Sequence, residues 1–202
     1  MITIETRLFC KALRFASACA ARKDIRFYLL GVRVEAVGDT LTLCGTDGAR
    51  IAVCALRIDS DSMTDLSLTI GNDDVKRILA AFGKDKGQIV LRSERQADQV
   101  PTLIVEAGGV ILRIKAVGGV FPDYRRVIPP TDREQGGMPI IDALLMAEAC
   151  TALEPLAGKL KTSCPVRFDS TGNPGASVVV RPSVIDDTRV TELLVVIAPI
   201  RV

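Results

Sequence analysis

The sequence contains no histidine and no tryptophan, and aromatic residues make up only 4% of it. Without histidine there is no Ser-His-Asp triad, no Cys-His nucleophile pair and no imidazole-ligated metal. Six cysteines occur, at 10, 19, 44, 54, 150 and 164, and none forms a C-x-x-C pair. Cys10, Cys19, Cys44 and Cys54 sit in apolar runs, which predicts buried free thiols in a reducing compartment. No apolar run approaches the ~20 residues of a membrane span. The N-terminal MITIETRLFCKALRF is charged throughout and lacks the apolar core of a signal peptide. A cytoplasmic protein with no membrane partner is expected. Large charge excess is also lacking, with 26 Lys and Arg against 24 Asp and Glu, a net of +2. The total therefore does not indicate a strongly basic nucleic-acid binder, although local basic faces remain open. Carboxylates are scattered. The glycines of GDTLTLCGTDG have neither the phosphate-loop nor the dinucleotide spacing. The expectation is no catalytic residue, no metal site and no cofactor.

What is present is a core-forming chain. Of 202 residues, 48% are hydrophobic, enough for one large or two small domains. One layout recurs three times. The first unit, 1–60, opens with the short strand ITIE. A helical stretch over 6–24 follows, with Leu8, Ala12, Phe15 and Cys19 on one apolar stripe. Strand-like runs IRFYLLGVRVEA, TLTLCG and RIAVCALRI come next, with Gly38-Asp39 and Asp47-Gly48 as turn signals between them. The second unit, 66–120, opens with LSLTIG. Its helix NDDVKRILAAFG has Asn72 as expected N-cap and Gly83 as stop. The strands GQIVLRSE, PTLIVEAG and GVILRIKAVGG follow. The third unit, 138–202, opens with GMPII. A helix over 141–158 follows, which Pro155 should end or kink, and then CPVRFDS, ASVVVRPSVI and ELLVVIAPIRV. The expected fold class is α+β, with helices on one face of antiparallel sheets.

Between the second and third units lies FPDYRRVIPP, residues 121–130. This segment resembles the inter-domain link of the bacterial sliding clamp, the beta subunit of DNA polymerase III. RFYLLGVRVEAVGDTLTLCGTDGARIAV and the terminal VVIAPIRV resemble two further clamp segments, in the same order. The resemblance covers the first two units, which would form one complete clamp-like domain with the link, 1–130. In the third unit it is confined to the last strand. A full clamp chain has six such units and this chain has three, as in a short phage or mobile-element form. Ala49 stands where the family often has histidine.

The resemblance implies a non-enzymatic DNA-replication processivity factor with a groove for hydrophobic linear motifs of partner proteins. Carried over by position, that groove comprises Leu29, Thr46, Gly48, Arg50, Ile51, Pro122, Arg126, Val127, Val196, Pro199, Ile200 and Arg201. The apolar residues would form its floor and the arginines its rim. The resemblance also implies helices facing duplex DNA. Lys11, Arg14 and Arg22 on the first helix, with Lys76, Arg77 and Lys84 on the second, would contact phosphates without reading sequence. The third helix departs from this, with Asp142, Glu148 and Glu154, and lysines only beyond it at 159 and 161. Clamp rings contain twelve units, so three per chain imply a homotetramer. Unit 3, a half-domain, would pair in trans with unit 3 of another chain, while unit 1 meets unit 1, giving D2 symmetry. The last strand would then lie near a subunit boundary. Expected partners are DNA polymerase, other motif-bearing proteins and a clamp loader. The alternative is a clamp-like module that forms no ring and competes for clamp-binding partners.

Overall fold

β1 (Ile2–Glu5) buries Ile2 and Ile4, as its alternation requires. α1 (Thr6–Ala18) then buries Leu8, Ala12 and Phe15, and its stripe is widened by Phe9, Leu13 and Ala16. The structure is a computed structural model, which describes residues 1–60, 66–95, 99–128, 141–157, 166–169 and 177–199. α1 is shorter than its pattern predicts. Cys19 N–H donates to Ala16 O at 3.2 Å and Ala20 N–H to Ser17 O at 3.2 Å, a tightened last turn. Ala21 N–H then bonds the carbonyls of Leu29 and Thr46. Arg22 therefore lies beyond α1 rather than on it.

The expected strand from residue 25 begins instead with a 3₁₀ turn, Phe27–Leu29. β2 (Gly31–Val37), β3 (Thr40–Thr46) and β4 (Arg50–Arg57) follow, then the two-residue β5 (Asp59–Ser60). The next unit runs β6 (Leu66–Gly71), α2 (Asn72–Phe82), β7 (Gln88–Glu94), β8 (Thr102–Ala107) and β9 (Val110–Lys115). Gly71, not Asn72, is the N-cap of α2. Asn72 is drawn inside the helix, where its side-chain amide donates to Ala21 O at 2.8 Å. Lys84 lies just past Phe82 and so outside α2. α3 (Ala143–Leu153) stops two residues before Pro155, and β10 (Val166–Asp169), β11 (Val178–Pro182) and β12 (Val190–Ile197) complete the order. Cys164, Lys159, Lys161 and all but the last residue of GMPII fall outside the described residues.

Two antiparallel sheets result, of orders β5-β1-β7-β8-β9 and β10-β11-β12-β4-β3-β2-β6. The opening strands trade places: β1 pairs with β7 of the second unit, and β6 pairs with β2 of the first. β12 pairs with β4 from Val190↔Leu56 to Ile197↔Arg50, so the third unit continues the sheet of the first. β12 is thus an interior strand of this sheet, between β11 and β4. β4 is paired on both sides, with β12 and β3. The helices cover one face of the sheets, with α1 between α3 and α2. The main core fills the space between helices and sheets.

Cys10, Cys19, Cys44 and Cys54 are free and buried. Burial pushes the Cys10 thiol up to about 11 and Cys19 up to about 12, so neither is an activated nucleophile. Among the described residues no helix is long and apolar enough to cross a membrane.

α1 crosses β3 very closely at Gly45, where an added Cβ would sit 2.0 Å from the Ala16 carbonyl oxygen. Gly45→Ala must push helix and sheet apart. Its urea midpoint should drop by the equivalent of about 1–3 kcal/mol or more. Gly118→Ala, with nothing within 4 Å of the new Cβ, should leave the midpoint unchanged. Equal midpoints for the two variants would contradict this packing.

Candidate functional site

The second, smaller core lies on the other face of the seven-stranded sheet. Phe121 and Tyr124 of the link pack there on Cys44, Val53, Leu194 and Val196, contributed by β3, β4 and β12. The link segment is therefore a docked strap. Its polar atoms are held as well. Tyr124 Oη donates to Glu35 Oε2 at 3.2 Å, and Arg125 Nη2 donates to the same oxygen at 2.7 Å. The Arg125 guanidinium also lies 4.6 Å from the Tyr124 ring centroid. Arg33 donates to Glu35 Oε1 at 3.1 Å. Burial alone would raise the Glu35 carboxyl, but the hydrogen bonds from Arg125 and Arg33 outweigh it and hold the group below its ordinary value.

Beside this strap opens a cleft of about 290 Å³. Its walls come from four places: Pro122, Asp123, Tyr124 and Val127 of the link; Thr46, Gly48, Ala49, Arg50 and Ile51 of the β3–β4 hairpin; Arg26 and Leu29; and Ser177, Val196 and Ala198. The hairpin is built to hold this shape. Asp47 Oδ1 accepts the N–H groups of Ala49 and Arg50 at 2.9 and 3.0 Å. Thr46 Oγ1 donates to Arg50 O at 2.8 Å and accepts from Gly48 N–H at 3.1 Å. Gly48 has φ +92, a left-handed conformation that favours glycine. Ala198 N–H donates to Ala49 O at 2.8 Å and ties the end of β12 to the turn.

Of the twelve groove residues expected, the cleft brings together Leu29, Thr46, Gly48, Arg50, Ile51, Pro122, Val127 and Val196. Arg126 and Pro199 are not in its lining, and Ile200 and Arg201 fall outside the described residues. The two arginines differ from the expected rim. Arg50 is buried, bonded to Asp47 Oδ2 at 3.0 Å and ion-paired with Glu148 of α3. Burial would lower its pKa, yet the hydrogen bond to Glu148 raises it, so it serves as a structural cation. Arg126 is exposed and 3.7 Å from Asp123. Arg26, Ala49, Asp123, Tyr124 and Ala198 line the cleft without having been carried over as groove residues, although each lies inside a quoted motif. Ser177 lies in the run ASVVVRPSVI, which the clamp resemblance did not include.

The six expected DNA-contacting residues are spread over the helical side. Arg22 and Lys76 line one cleft between the end of α1 and the start of α2, together with Asp73 and Asp74. Arg14 reaches the C-terminal end of α2, within 3.8 Å of where a Gly83 Cβ would stand, a favourable place for a cation. Lys11 is half-buried on α1. Lys76 pairs with Asp73 at 2.9 Å and Arg77 with Asp74 at 2.5 Å; such exposed pairs are weak. Two of the α3 acids have structural duties. Asp142 caps the helix by accepting Leu144 N–H at 2.7 Å, and Glu148 is spent on Arg50. Among the described residues no cluster of three or more Cys, Asp and Glu side chains could hold a metal ion.

The comparisons with known proteins fall on this architecture. The sequence profile described as "DNA polymerase III beta subunit, central domain" matches residues 3–123. The beta sliding clamp of Salmonella typhimurium is 30% identical over 140 residues, 68% of this chain and 37% of its own length. That of Proteus mirabilis is 32% identical over 143 residues, again 68% and 37%. The chain thus spans well under half the length of these relatives. Among solved structures, the DNA polymerase sliding clamp of Bacillus subtilis superposes with TM-score 0.78 at 14% identity, over 100% of this chain and 64% of that one. The Pseudomonas aeruginosa clamp crystallised with a ligand gives TM-score 0.76 at 18% identity, over 99% and 65%.

The Glu35 cluster yields a pH prediction. A carboxyl held below its unfolded value stabilises above that value and loses the contribution as pH falls through the folded one. Glu35→Gln should cost about 1.5–3 kcal/mol at pH 7, typical of a lost charged hydrogen bond. It should also shrink the gap between urea midpoints at pH 7 and pH 3. Amide exchange across 121–128 should speed up in the variant at pH 7. An unchanged exchange rate there would show that Glu35 does not hold the link.

Proposed function

This chain belongs to the family of the DNA polymerase III beta subunit, the sliding clamp, and on that premise we propose that it is a non-catalytic processivity factor. Copies of it encircle duplex DNA and tether a DNA polymerase and other proteins by their linear motifs. The observation that carries this reading is the convergence of the link, the β3–β4 hairpin and the end of β12 on one cleft. Three segments distant in sequence make one apolar-floored slot there. A partner's hydrophobic side chains would leave water against Leu29, Ile51, Val127, Pro122 and Val196. The hydrogen-bonded turn and the docked strap mean that little ordering is required on binding. The rim chemistry falls to Arg26 and backbone groups: Arg26 is exposed on the cleft with its guanidinium on Asp24, whereas Arg50 is buried between Asp47 and Glu148.

The helical side supports the DNA half of the reading. Arg14 and Arg22 are exposed cations from the α1 segment, and α1 carries no acidic residue. The capped and paired acids of α3 subtract less from this face than the sequence suggests. Twelve units close the ring, so the 202-residue chain assembles as four copies. Unit 3 pairs in trans with unit 3 of a neighbour. Support comes from β10, which occupies the place of β2 and β7 yet ends its sheet among the described strands, whereas each of those receives a sister unit's opening strand. A clamp loader would open such a ring. A cytoplasmic location beside the replication machinery is part of this reading, supported by the family relationship.

Labelled hydrophobic peptides with the linear-motif pattern should bind the wild type. Val127→Asp should weaken them at least tenfold, about 1.4 kcal/mol, while leaving the fold intact, because Val127 is 48% exposed. Arg22→Ala with Lys76→Ala should lower duplex affinity equally for unrelated sequences. It should also flatten the salt dependence by roughly one log-log unit for each phosphate no longer neutralised. Peptide binding without any salt-sensitive DNA binding would favour the module that forms no ring.

A further inference from the structure

Leaving aside the two-residue β5, which pairs with β1 in the other sheet, each unit ends in a strand with the same place in its sheet: β4 in the first, β9 in the second and β12 in the third. Within the chain, the final strands of the first and third units pair with each other, antiparallel, along β4 and β12. β9 is the final strand left over. It ends the five-stranded sheet, bonded to β8 alone among the described strands.

This edge is suited to pairing. Its register with β8 is regular from Thr102↔Lys115 to Ala107↔Val110, with no bulge, and VILRIK has no proline. Val110 is 46% and Ile111 54% exposed. Arg113 is neutralised by Glu94 of β7 at 3.0 Å, so two such strands can approach without facing two bare guanidinium charges. An exposed, regular, apolar edge is a template for another strand.

We infer that β9 is an interaction surface whose partner is β9 of a second copy, paired antiparallel about a two-fold axis. The reason is that final strands pair with final strands in this fold, and both of the other two are already used. This deepens the ring reading and rests on it. It replaces the expected unit 1 interface with a unit 2 interface. With unit 3 meeting unit 3, both interfaces between chains become isologous and D2 closure is kept. The two faces of the ring are then equivalent.

The test uses the 202-residue chain carrying Ile111→Cys, treated with a flexible bismaleimide, beside the untreated and unsubstituted proteins, with mass measured by light scattering. In a six-residue antiparallel pair any position lies within about 20 Å of its own copy. Tetramer mass with a covalent dimer specific to Ile111→Cys supports the proposal. Tetramer mass without that dimer overturns it and leaves the ring standing, with β9 meeting some other strand. Dimer mass with the cross-link keeps the β9 pairing and sinks the four-copy ring. A monomer at all concentrations overturns both. Ile111→Asp gives an independent reading: the mass should fall by about half with far-UV circular dichroism unchanged, and an unchanged mass counts against the proposal.

Discussion

β4 accepts β12 along almost its whole length, and through that ladder the third unit becomes part of the first unit's sheet. Much else follows from it. The seven-stranded sheet exists because of it, and so does the outer surface on which the link docks, since Val53 comes from β4 and Leu194 and Val196 from β12. The cleft lies at the end of this same ladder, where Ile197 faces Arg50. The Arg50–Glu148 ion pair then fastens the hairpin to α3. Backbone pairing brings the segments together, and side chains fix their separation.

Charge is used in two ways. Glu35, Arg33 and Arg125 form a partly buried cluster that holds the strap. Arg50, Asp47 and Glu148 form a second that holds the hairpin. Breaking a buried pair costs more than the pair contributes, so both act as position-fixers more than as sources of stability. A buried residue employed this way is withdrawn from recognition, which is why Arg50 is a poor rim residue, while Arg26 keeps its exposure although it is paired with Asp24.

Much of the fold was legible because its signals are local. Alternation in ITIE, the stripe of α1, the GD and DG turns and Pro155 all act within a few residues of themselves. The end of α1 was misplaced because apolar and helix-favouring residues continue through Ala21, while Leu29 and Thr46 carbonyls from elsewhere claim that residue's N–H. The cap of α2 is one residue earlier than expected, and Asn72 lies inside the helix with its side-chain N–H donated to Ala21 O, a contact from a distant segment. Eight of the expected groove residues meet at one cleft, because each sits in a motif whose backbone is fixed locally. The burial of Arg50 was not legible: its partner Glu148 lies 98 positions away. The role of Glu148 was hidden for the same reason, whereas Asp142 caps its own helix locally.

The exchange of β1 and β6 between the first two units carries a kinetic consequence. Neither unit can complete its sheet before the other has been synthesised and threaded into place. Contact order is therefore high, and loop-closure entropy must be met before the exchanged strands reward it. The first two units should appear as one cooperative folding step, with no stable species holding a single unit. For the same reason, duplication or loss of a lone unit leaves one strand without a host.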